Sequence, residues 1–281
     1  MTDNTDSVEA AARRLNDLIR ASERLVFFGG AGVSTESGIP DFRSHGGLYA
    51  RPAGDPGPAR PFAERPETIL SRSFFERHPE EFFRFYRAHQ LNLTARPNAA
   101  HLKLAELERA GKLTAVVTQN IDGLHQAAGS NSVLELHGSI WRNHCGRCGR
   151  FYDVRSIAES TGLPLCTAPA GRSGGAGRSG GSSGLSGSGG ATCGGLITPD
   201  VVLYEDPLDH VVLAAAVEAI AAADLLIVGG TSLAVYPAAG LIDYFHGDHL
   251  VIVNRDSLVT DRPGDLVITA PIAQVFALLN V

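Results

Sequence analysis

Side chains of the kinds that bind polar ligands and move protons are concentrated in Thr118–His125. This stretch reads Thr-Gln-Asn-Ile-Asp-Gly-Leu-His, and the pair His137-Gly138 follows twelve residues later. The apolar run 113–117 in front of it predicts a short buried strand. The polar groups then emerge at the C-terminal end of a strand, which is where open α/β sheets bind ligands. Any one of these residues alone is more often structural, so the candidate site depends on matching parts elsewhere.

A glycine-rich turn supplies the first matching part. The apolar run 24–28 predicts a buried parallel strand that runs into Gly30-Ala31-Gly32. Such a turn lets the backbone come close to a diphosphate. The third glycine of a dinucleotide fingerprint is missing, since Thr35 stands at that spacing, and no acidic ribose ligand is obvious further on. The turn alone therefore fits a nucleotide site and a plain tight turn equally well.

Two later strand ends favour the nucleotide site. Gly230-Thr231-Ser232 follows one apolar run, and Asn254-Arg255 follows the next. Small and polar groups at these positions suit the ribose and adenine of a nucleotide. Three such strand ends carry more weight than one.

The elements that must position these residues alternate along the chain. Apolar spacing predicts strands at 24–28, 113–117, 224–228 and 250–253, and helices at 8–21, 66–77, 79–94, 98–110 and 209–222. Strands that alternate with helices predict an α/β fold with a doubly wound parallel sheet.

Four cysteines in the segment 140–200 predict a metal site. Cys145 and Cys148 have the two-residue spacing that places two thiolates on one tetrahedral ion, and Cys166 and Cys193 complete a set of four. One alternative is a pair of disulfides, which a chain without a signal peptide disfavours. The other is a thioredoxin-like redox pair, although no helix signal accompanies it.

The 26-residue spacing between the third and fourth cysteines is unusual. Residues 171–190 contain ten Gly and six Ser, which is the composition of a flexible linker. Widening a two-residue spacing this far costs roughly 2–3 kcal/mol of closure entropy, whereas structural zinc contributes on the order of 10 kcal/mol. We therefore expect one structural zinc per chain, with 171–190 as a disordered insert outside the site.

Composition excludes several classes of function. Among the 281 residues, 44% are hydrophobic and 19% charged, as in ordinary globular proteins. The net charge of −6 gives no general attraction to polyanions, so nucleic acid is not an expected partner. The most apolar region, 211–228, is interrupted by Glu218 and Asp224 and predicts no membrane span. The polar N-terminus lacks a signal-peptide core, so we expect a cytoplasmic protein.

Taken together, the motifs resemble those of the sirtuins, which are NAD-dependent protein-lysine deacylases. The motifs in sirtuin order are Gly30–Ser34, Gly38–Arg43, Thr118–Asp122, His137-Gly138, the four cysteines and Gly230–Ser232. The resemblance extends from about Leu15 to Phe276. It implies a Rossmann-like NAD-binding domain and a smaller module made of a zinc ribbon and a helical insert. The Gly/Ser-rich insert departs from the family pattern.

The resemblance also implies domain bounds and partners. The NAD-binding domain would comprise 1–45, 96–139 and 201–281, the helical insert 46–95 and the zinc-ribbon module 140–200. The expected partners are acyl-lysine proteins or peptides, with no membrane partner, and a monomer is favoured.

Site roles follow from the same resemblance. His137 is the expected general base, Asn120 lies at the ribose, and Ile121 and Asp122 hold the nicotinamide amide. The other residues expected to bind NAD are Gly30, Ala31, Gly32, Thr35, Asp41, Phe42, Arg43, Gln119, Gly230, Thr231, Ser232, Asn254 and Arg255. The residues expected to line the acyl-lysine cleft are Val202, Leu203, Tyr204 and Val235. The peptide would add there as a strand.

The function implied is deacetylation of protein lysine with NAD as co-substrate, giving free lysine, nicotinamide and O-acetyl-ADP-ribose. An imidazole suits removal of the ribose hydroxyl proton at neutral pH. The alternatives are removal of succinyl or another acyl group, mono-ADP-ribosylation at the same NAD site, and a non-catalytic NAD sensor. The presence of both His137 and Asn120 disfavours the sensor.

The pair Tyr86 and His89 indicates which acyl group the protein would remove from lysine. In the sirtuin relatives that prefer succinyl or malonyl lysine, a Tyr and an Arg three residues later bind the distal carboxylate. Here His89 stands where that Arg would be. A neutral imidazole cannot form the two-pronged pair that guanidinium makes with a carboxylate. We therefore expect a preference for acetyl or other uncharged acyl groups.

Overall fold

The computed structural model describes residues 3–41, 64–169, 192–256 and 265–280. The strands are β1 (Leu25–Gly29), β2 (Leu113–Thr118), β3 (Val133–Glu135), β4 (Gly138–Cys145), β5 (Phe151–Tyr152), β6 (Ile197–Val201), β7 (Leu225–Gly229), β8 (His249–Asn254) and β9 (Leu266–Thr269). The α-helices are α1 (Asp3–Ala21), α2 (Pro66–Ile69), α3 (Arg72–Arg77), α4 (Pro79–His89), α5 (Ala99–Arg109), α6 (Leu124–Ala128), α7 (Arg155–Ala158), α8 (His210–Ala222) and α9 (Ile272–Ala277). Short 3₁₀ helices cover Ala31–Val33, Thr35–Ser37 and Ala238–Tyr244. None of the helices in these ranges is long and apolar enough to cross a membrane.

The chain separates into two compact units. The first comprises Met1–Pro58, Asn92–His137 and Asp206–Val281, and the second comprises Ala59–Leu91 and Gly138–Glu205. This division reflects compactness alone, so the domain bounds implied by the sequence stay a prediction.

The first unit contains a six-stranded sheet in the order β3-β2-β1-β7-β8-β9. Its pairings are all parallel. The strands are near-continuous apolar runs, as expected where both faces of a sheet are covered. The chain winds outward from β1 through β2 to β3, and then from β7 to β9 on the other side. The predicted doubly wound, Rossmann-like sheet is confirmed.

Alternate side chains of β1 divide the core of this unit into two layers. Phe27 packs in a layer with side chains of α1, α5 and α9, including Leu15, Leu104 and Phe276. Phe28 packs on the opposite face, in a layer that includes side chains of α8 and of the 3₁₀ helix Ala238–Tyr244. Since successive strand residues point to opposite faces, one apolar strand supports both layers.

Two predicted helices differ from the observed ones. The stretch 66–77 forms two helices because the Ser71 hydroxyl caps α3, accepting from the Phe74 N–H at 3.2 Å. The stretch 79–94 ends as a helix at His89. Beyond it the Asn92 side chain accepts from the Ala95 N–H at 3.1 Å, a local turn that competes with helical hydrogen bonding.

The second unit contains a three-stranded antiparallel sheet in the order β5-β4-β6. Helices α3 and α4 contribute a cluster of buried aromatic rings, and α2 adds the buried Ile69. Arg87 of α4 donates to the Ser160 hydroxyl at 3.1 Å and to the Gly162 carbonyl at 3.0 Å. These bonds join the helical segment to the chain that follows α7.

Candidate functional site

The predicted site residues of the first unit follow the carboxyl ends of its central strands. Gly29 of β1 pairs in register with Thr118 of β2 and with Gly229 of β7. On the next strand Thr118 pairs with Glu135 of β3. Because parallel strands end at the same edge, the segments that follow them meet there.

The glycine turn after β1 lies directly on the chain that follows β7. The Gly32 N–H donates to the Gly230 carbonyl at 2.7 Å, and the Gly30 N–H donates to the Gly229 carbonyl at 3.3 Å. A Cβ atom on Gly32 would lie 2.7 Å from the Gly230 oxygen, closer than carbon and oxygen approach. The turn therefore requires glycine for this close approach of two backbones.

Ser34, Asn120 and Asp122 form a hydrogen-bonded cluster. The Ser34 hydroxyl donates to Oδ2 of Asp122 at 2.6 Å and accepts from Nδ2 of Asn120 at 3.1 Å. The other carboxylate oxygen, Oδ1 of Asp122, accepts from the Leu124 N–H at 2.9 Å. Burial raises the pKa of Asp122 above its usual value, and the bonds from Ser34 and Leu124 oppose that rise. The cluster presents an oriented carboxylate beside a carboxamide.

His137 follows β3 and is oriented by the backbone of Gln119. Nδ1 of His137 lies 2.8 Å from the Gln119 carbonyl oxygen. A carbonyl only accepts, so Nδ1 carries the proton and Nε2 keeps a lone pair. Burial lowers the pKa of His137 below 6.5, although the bond to Gln119 acts in the opposite direction. The ring is therefore neutral at pH 7, the state that a general base requires.

Thr231 connects three strand ends. Its hydroxyl accepts from Nε2 of Gln119 at 3.1 Å, and its carbonyl accepts from Nδ2 of Asn254 at 3.1 Å. Nearby in the chain, Arg255 forms an ion pair with Asp41 at 3.7 Å. Amide, hydroxyl and guanidinium groups along one edge suit hydroxyl-rich and anionic parts of a ligand.

The four cysteines of the second unit lie together, with their sulfur atoms within 4.8 Å of one another. Sγ of Cys145 is 3.6 Å from Sγ of Cys193, and Sγ of Cys148 is 3.7 Å from Sγ of Cys166. A disulfide needs about 2.05 Å, so neither pair is bonded. Four thiolates about 2.3 Å from a tetrahedral zinc ion lie at the observed kind of separation. The donor set fits structural zinc and leaves no coordination position for a substrate.

Comparison with known proteins identifies the family. A model of the Sir2 family matches residues 30–237. The chain belongs to the Sir2 family. The NAD-dependent protein deacetylase of Clostridium perfringens (strain 13 / Type A) is 51% identical over 263 residues, covering 93% of this chain and 95% of the relative. That of Cutibacterium acnes is 50% identical over 250 residues, covering 89% of each chain.

Solved Sir2 structures share the fold. One holds a p53 peptide and NAD⁺; it has a TM-score of 0.74 and 36% sequence identity, covering 94% of this chain and 95% of that one. Another, Sir2 bound to an acetylated peptide, has a TM-score of 0.73 and 34% identity, covering 94% of each chain.

The structure of this Sir2-family chain brings part of the predicted NAD set together by direct contacts. These contacts join Gln119, Asn120, Asp122, Thr231 and Asn254 to their partners as described above. Ala31 and Ile121 are half-buried in the same segments, Ser232 is exposed, and the Thr35 hydroxyl donates to the Gly32 carbonyl at 3.0 Å. Two further predicted residues, Phe42 and Arg43, lie outside the described ranges, as does the insert 171–190.

The predicted acyl-lysine residues are divided between the units. Val202, Leu203 and Tyr204 belong to the second unit and Val235 to the first. Within its own unit, Tyr204 forms a parallel bridge with Ser71, and Leu203 is buried. Their role in substrate binding stays a prediction.

Tyr86 is the first residue of the pair considered above for binding a succinyl or malonyl carboxylate. The ring is fully buried, stacked on Phe82 with centroids 5.5 Å apart, and its hydroxyl has no hydrogen-bond partner among the described residues. Desolvation raises the pKa of Tyr86. The expected preference for acetyl or other uncharged acyl groups stays a prediction.

Ser34 belongs to the candidate site, although reasoning from the sequence gave it no role. It is 1% exposed and links Asp122 to Asn120. Its partners are 88 and 86 positions away, so no local pattern reveals the contacts. The available signal was its place at the end of the glycine-turn motif.

Proposed function

We propose that this Sir2-family chain uses NAD to remove acetyl groups from protein lysines, releasing nicotinamide and O-acetyl-ADP-ribose. The observation that carries the proposal is a neutral, oriented His137 at the sheet edge that also holds the Ser34–Asp122–Asn120 cluster. Relatives at 51% and 50% identity are named NAD-dependent protein deacetylases. A Sir2 structure with an acetylated peptide supports acyl-lysine proteins as the substrate class.

The strand-end segments offer the groups needed to bind NAD. The turn at Gly30–Gly32 carries only the small side chain of Ala31, so a diphosphate could approach its backbone closely. Thr231 and Asn254 offer the polar groups for the ribose and adenine part. When bound, NAD supplies an electrophilic ribose carbon as the bond to nicotinamide breaks.

Asp122 and Asn120 would act at the nicotinamide end. A carboxylate held by the Ser34 hydroxyl and the Leu124 N–H cannot swing away from its position. It is thus placed to accept from the carboxamide of nicotinamide and to hold it out of its relaxed orientation. Asn120, held by the same hydroxyl, would contact the ribose.

His137 would remove the proton of a ribose hydroxyl. The Gln119 carbonyl fixes the tautomer in which Nε2 is free to accept. Burial keeps the pKa below 6.5, so the base is available throughout the neutral range. Zinc takes no part in these steps, since four thiolates hold it in the second unit.

The remaining assignments belong to the same proposal. Val202, Leu203, Tyr204 and Val235 would line the acyl-lysine cleft. The unpaired thiols fit a reducing compartment, in agreement with a cytoplasmic location. Size-exclusion chromatography with light scattering tests the favoured monomer.

Mass spectrometry of matched peptides tests the function. Acetyl-lysine and succinyl-lysine versions of one peptide are incubated with protein and NAD, with a reaction without NAD as control. We expect NAD-dependent loss of the acetyl group and a lower kcat/KM for the succinyl peptide. Transfer of ADP-ribose to the peptide without deacylation would instead identify an ADP-ribosyltransferase. Absence of turnover on both peptides, with NAD still bound, would identify a sensor.

A further inference from the structure

Two histidines that the proposed reaction does not use are packed against each other in the first unit. His101 of α5 and His125 of α6 have ring centroids 4.8 Å apart with their planes inclined by 56°. They are 0% and 1% exposed. The His125 ring also lies 6.2 Å from that of Phe27 on the central strand β1.

Packing alone does not explain why these rings are imidazoles. Nδ1 of His101 accepts from the Asn98 N–H at 3.3 Å. Nε2 of His101 and both ring nitrogens of His125 are buried and have no hydrogen-bond partner in the described part of the chain. An unpaired buried polar atom destabilises a fold, and an apolar ring would occupy the same place without that cost. Exceptions of this kind point to a functional constraint.

On one side, the pair is connected to the carboxylate of the candidate site. His125 lies in the first turn of α6, next to Leu124, whose N–H donates to Oδ1 of Asp122 at 2.9 Å. The position of this first turn therefore determines where the Asp122 carboxylate points.

On the other side, the pair is connected to the glycine-turn segment. His101 is part of the N-terminal cap of α5, together with Asn98. Nδ2 of Asn98 donates to the Val33 carbonyl at 2.8 Å and to the Ser37 hydroxyl at 2.9 Å. The Ser34–Asp122 hydrogen bond joins the two sides, so the histidine contact completes a closed chain of contacts that includes the Asp122 carboxylate.

We propose that His101 and His125 are positioning residues, whose contact fixes the Asp122 carboxylate relative to the glycine turn. Since Nδ1 of His101 accepts, its proton is on Nε2, and the neighbouring neutral His125 ring has one free acceptor nitrogen. Rings at this separation can form a hydrogen bond after a small rotation. Burial lowers the pKa of His101 to about 4, and burial together with His101 lowers that of His125 to about 3, so both are neutral at pH 7.

Substitutions at both histidines test this inference, which rests on the proposed use of NAD. His125→Phe and His101→Phe keep a ring but remove its nitrogens. We expect His125→Phe to fold with a melting temperature at or above that of the wild type, because two unpaired polar atoms are removed. His101→Phe also removes the acceptor of the Asn98 N–H, so its melting temperature should be somewhat lower than that of His125→Phe. The KM for NAD and the inhibition constant of nicotinamide should rise about tenfold or more, as misplaced groups cost binding and rate. The KM for the acetylated peptide should stay within about twofold.

Two controls separate positioning from general stability. Leu107→Ala, at a fully buried position of α5, should lower the melting temperature without a selective change in the KM for NAD. His125→Gln restores a donor and an acceptor and should recover most of the NAD affinity. Histidine NMR of the wild type adds a test independent of folding: the ring signals of His101 and His125 should shift on addition of nicotinamide.

An unchanged KM for NAD in His125→Phe would overturn the inference, as would ring signals that do not respond to nicotinamide. The same holds if the variants raise the KM values for NAD and peptide in parallel with a loss of stability, as a merely structural role predicts. Failure of the proposed function is distinguishable, because then the wild-type protein itself would not deacetylate the peptide.

Discussion

The sheet edge of the first unit that is proposed to bind NAD and the cysteine cluster of the second unit are built in opposite ways. At the edge, hydrogen bonds such as Ser34–Asp122 join residues 88 positions apart, so the site exists only after the sheet has formed. In the cluster, the four sulfur atoms lie within 4.8 Å of one another. A metal ion bound between such thiolates would hold them together. The first site therefore forms as a consequence of folding, whereas metal binding at the second site would itself stabilise the folded state.

The two regions also differ in the charge state of their ionisable side chains. At the edge, burial lowers the pKa of His137 and raises that of Asp122, so desolvation favours the neutral form of each. In the cluster, four thiolates would repel one another without a cation between them. Side-chain and pH changes should therefore disturb the edge, and metal removal should disturb the cluster.

The largest effect is expected on removing one cysteine of the cluster. Cys145→Ala should abolish the stoichiometric zinc and strongly destabilise the second unit, because metal binding worth on the order of 10 kcal/mol is coupled to folding. Metal analysis and thermal unfolding with and without chelator measure both effects. Arg155→Ala, at an exposed position of α7 in the same unit, is the matched control. Full zinc content in Cys145→Ala would contradict the four-cysteine assignment.

The same contrast explains what sequence can predict. The strands at β1 and β2 were predicted correctly, because fully buried parallel strands appear as continuous apolar runs. The cysteine set was predictable from the local spacing of Cys145 and Cys148. Metal ligation requires few residue types, so spacing is informative there even with a long insert before Cys193.

Features that depend on tertiary contact could not be predicted. The division of 66–77 into two helices depends on the Ser71 cap, and local propensity does not reveal it. The contact of His101 with His125 joins two helices, and both residues look ordinary in sequence. The burial of Tyr86 likewise depends on packing against Phe82 and its neighbours. Motif positions therefore indicated where the site lies, but not how its members are held.

The next largest effect is expected at the sheet edge that is proposed to carry the catalytic His137. His137→Tyr keeps an aromatic ring but cannot accept a proton at neutral pH, so deacetylation should fall by about 10²–10⁴-fold, as on loss of a general base. NAD affinity, measured by calorimetry, should change much less. His246→Ala, at an exposed position in the same unit, controls for loss of a histidine. Near-wild-type turnover in His137→Tyr would exclude His137 as the base.

Acidification should have a smaller effect, lowering the free energy of unfolding through protonation of the buried histidine pair in the unfolded chain. The pKa values of His101 and His125 are about 4 and about 3 in the folded protein, below the ordinary value of 6.5. Below pH 6.5 the unfolded chain therefore binds these protons first, and stability falls as the pH falls towards the folded values. Each histidine contributes a slope of up to about 1.4 kcal/mol per pH unit. At pH 5.5 the summed loss of stability for the two residues is about 3 kcal/mol.

Urea unfolding across this pH range measures the acid effect. The double variant His101→Phe/His125→Phe should lose the part of the slope that comes from this pair, while His137, whose pKa burial also lowers, keeps its own part. Zinc content should be followed at each pH to separate any release of metal from the cluster. An equal slope in the double variant would assign the acid sensitivity to other groups.

The smallest effect is expected on deletion of residues 171–190, although the deletion falls between two ligands of the cluster. The chain on either side is already paired: Pro169 and Thr192 form an antiparallel bridge, and the Gly194 N–H donates to the Cys166 carbonyl at 3.0 Å. A shorter connection between paired ends lowers the entropic cost of loop closure by about 2 kcal/mol. We therefore expect unchanged zinc content, nearly unchanged kcat/KM and equal or slightly higher stability. Metal analysis, peptide kinetics and thermal unfolding of the deletion variant check this. Loss of zinc would show that the insert supports the cluster, and loss of activity with zinc retained would connect it to the substrate instead.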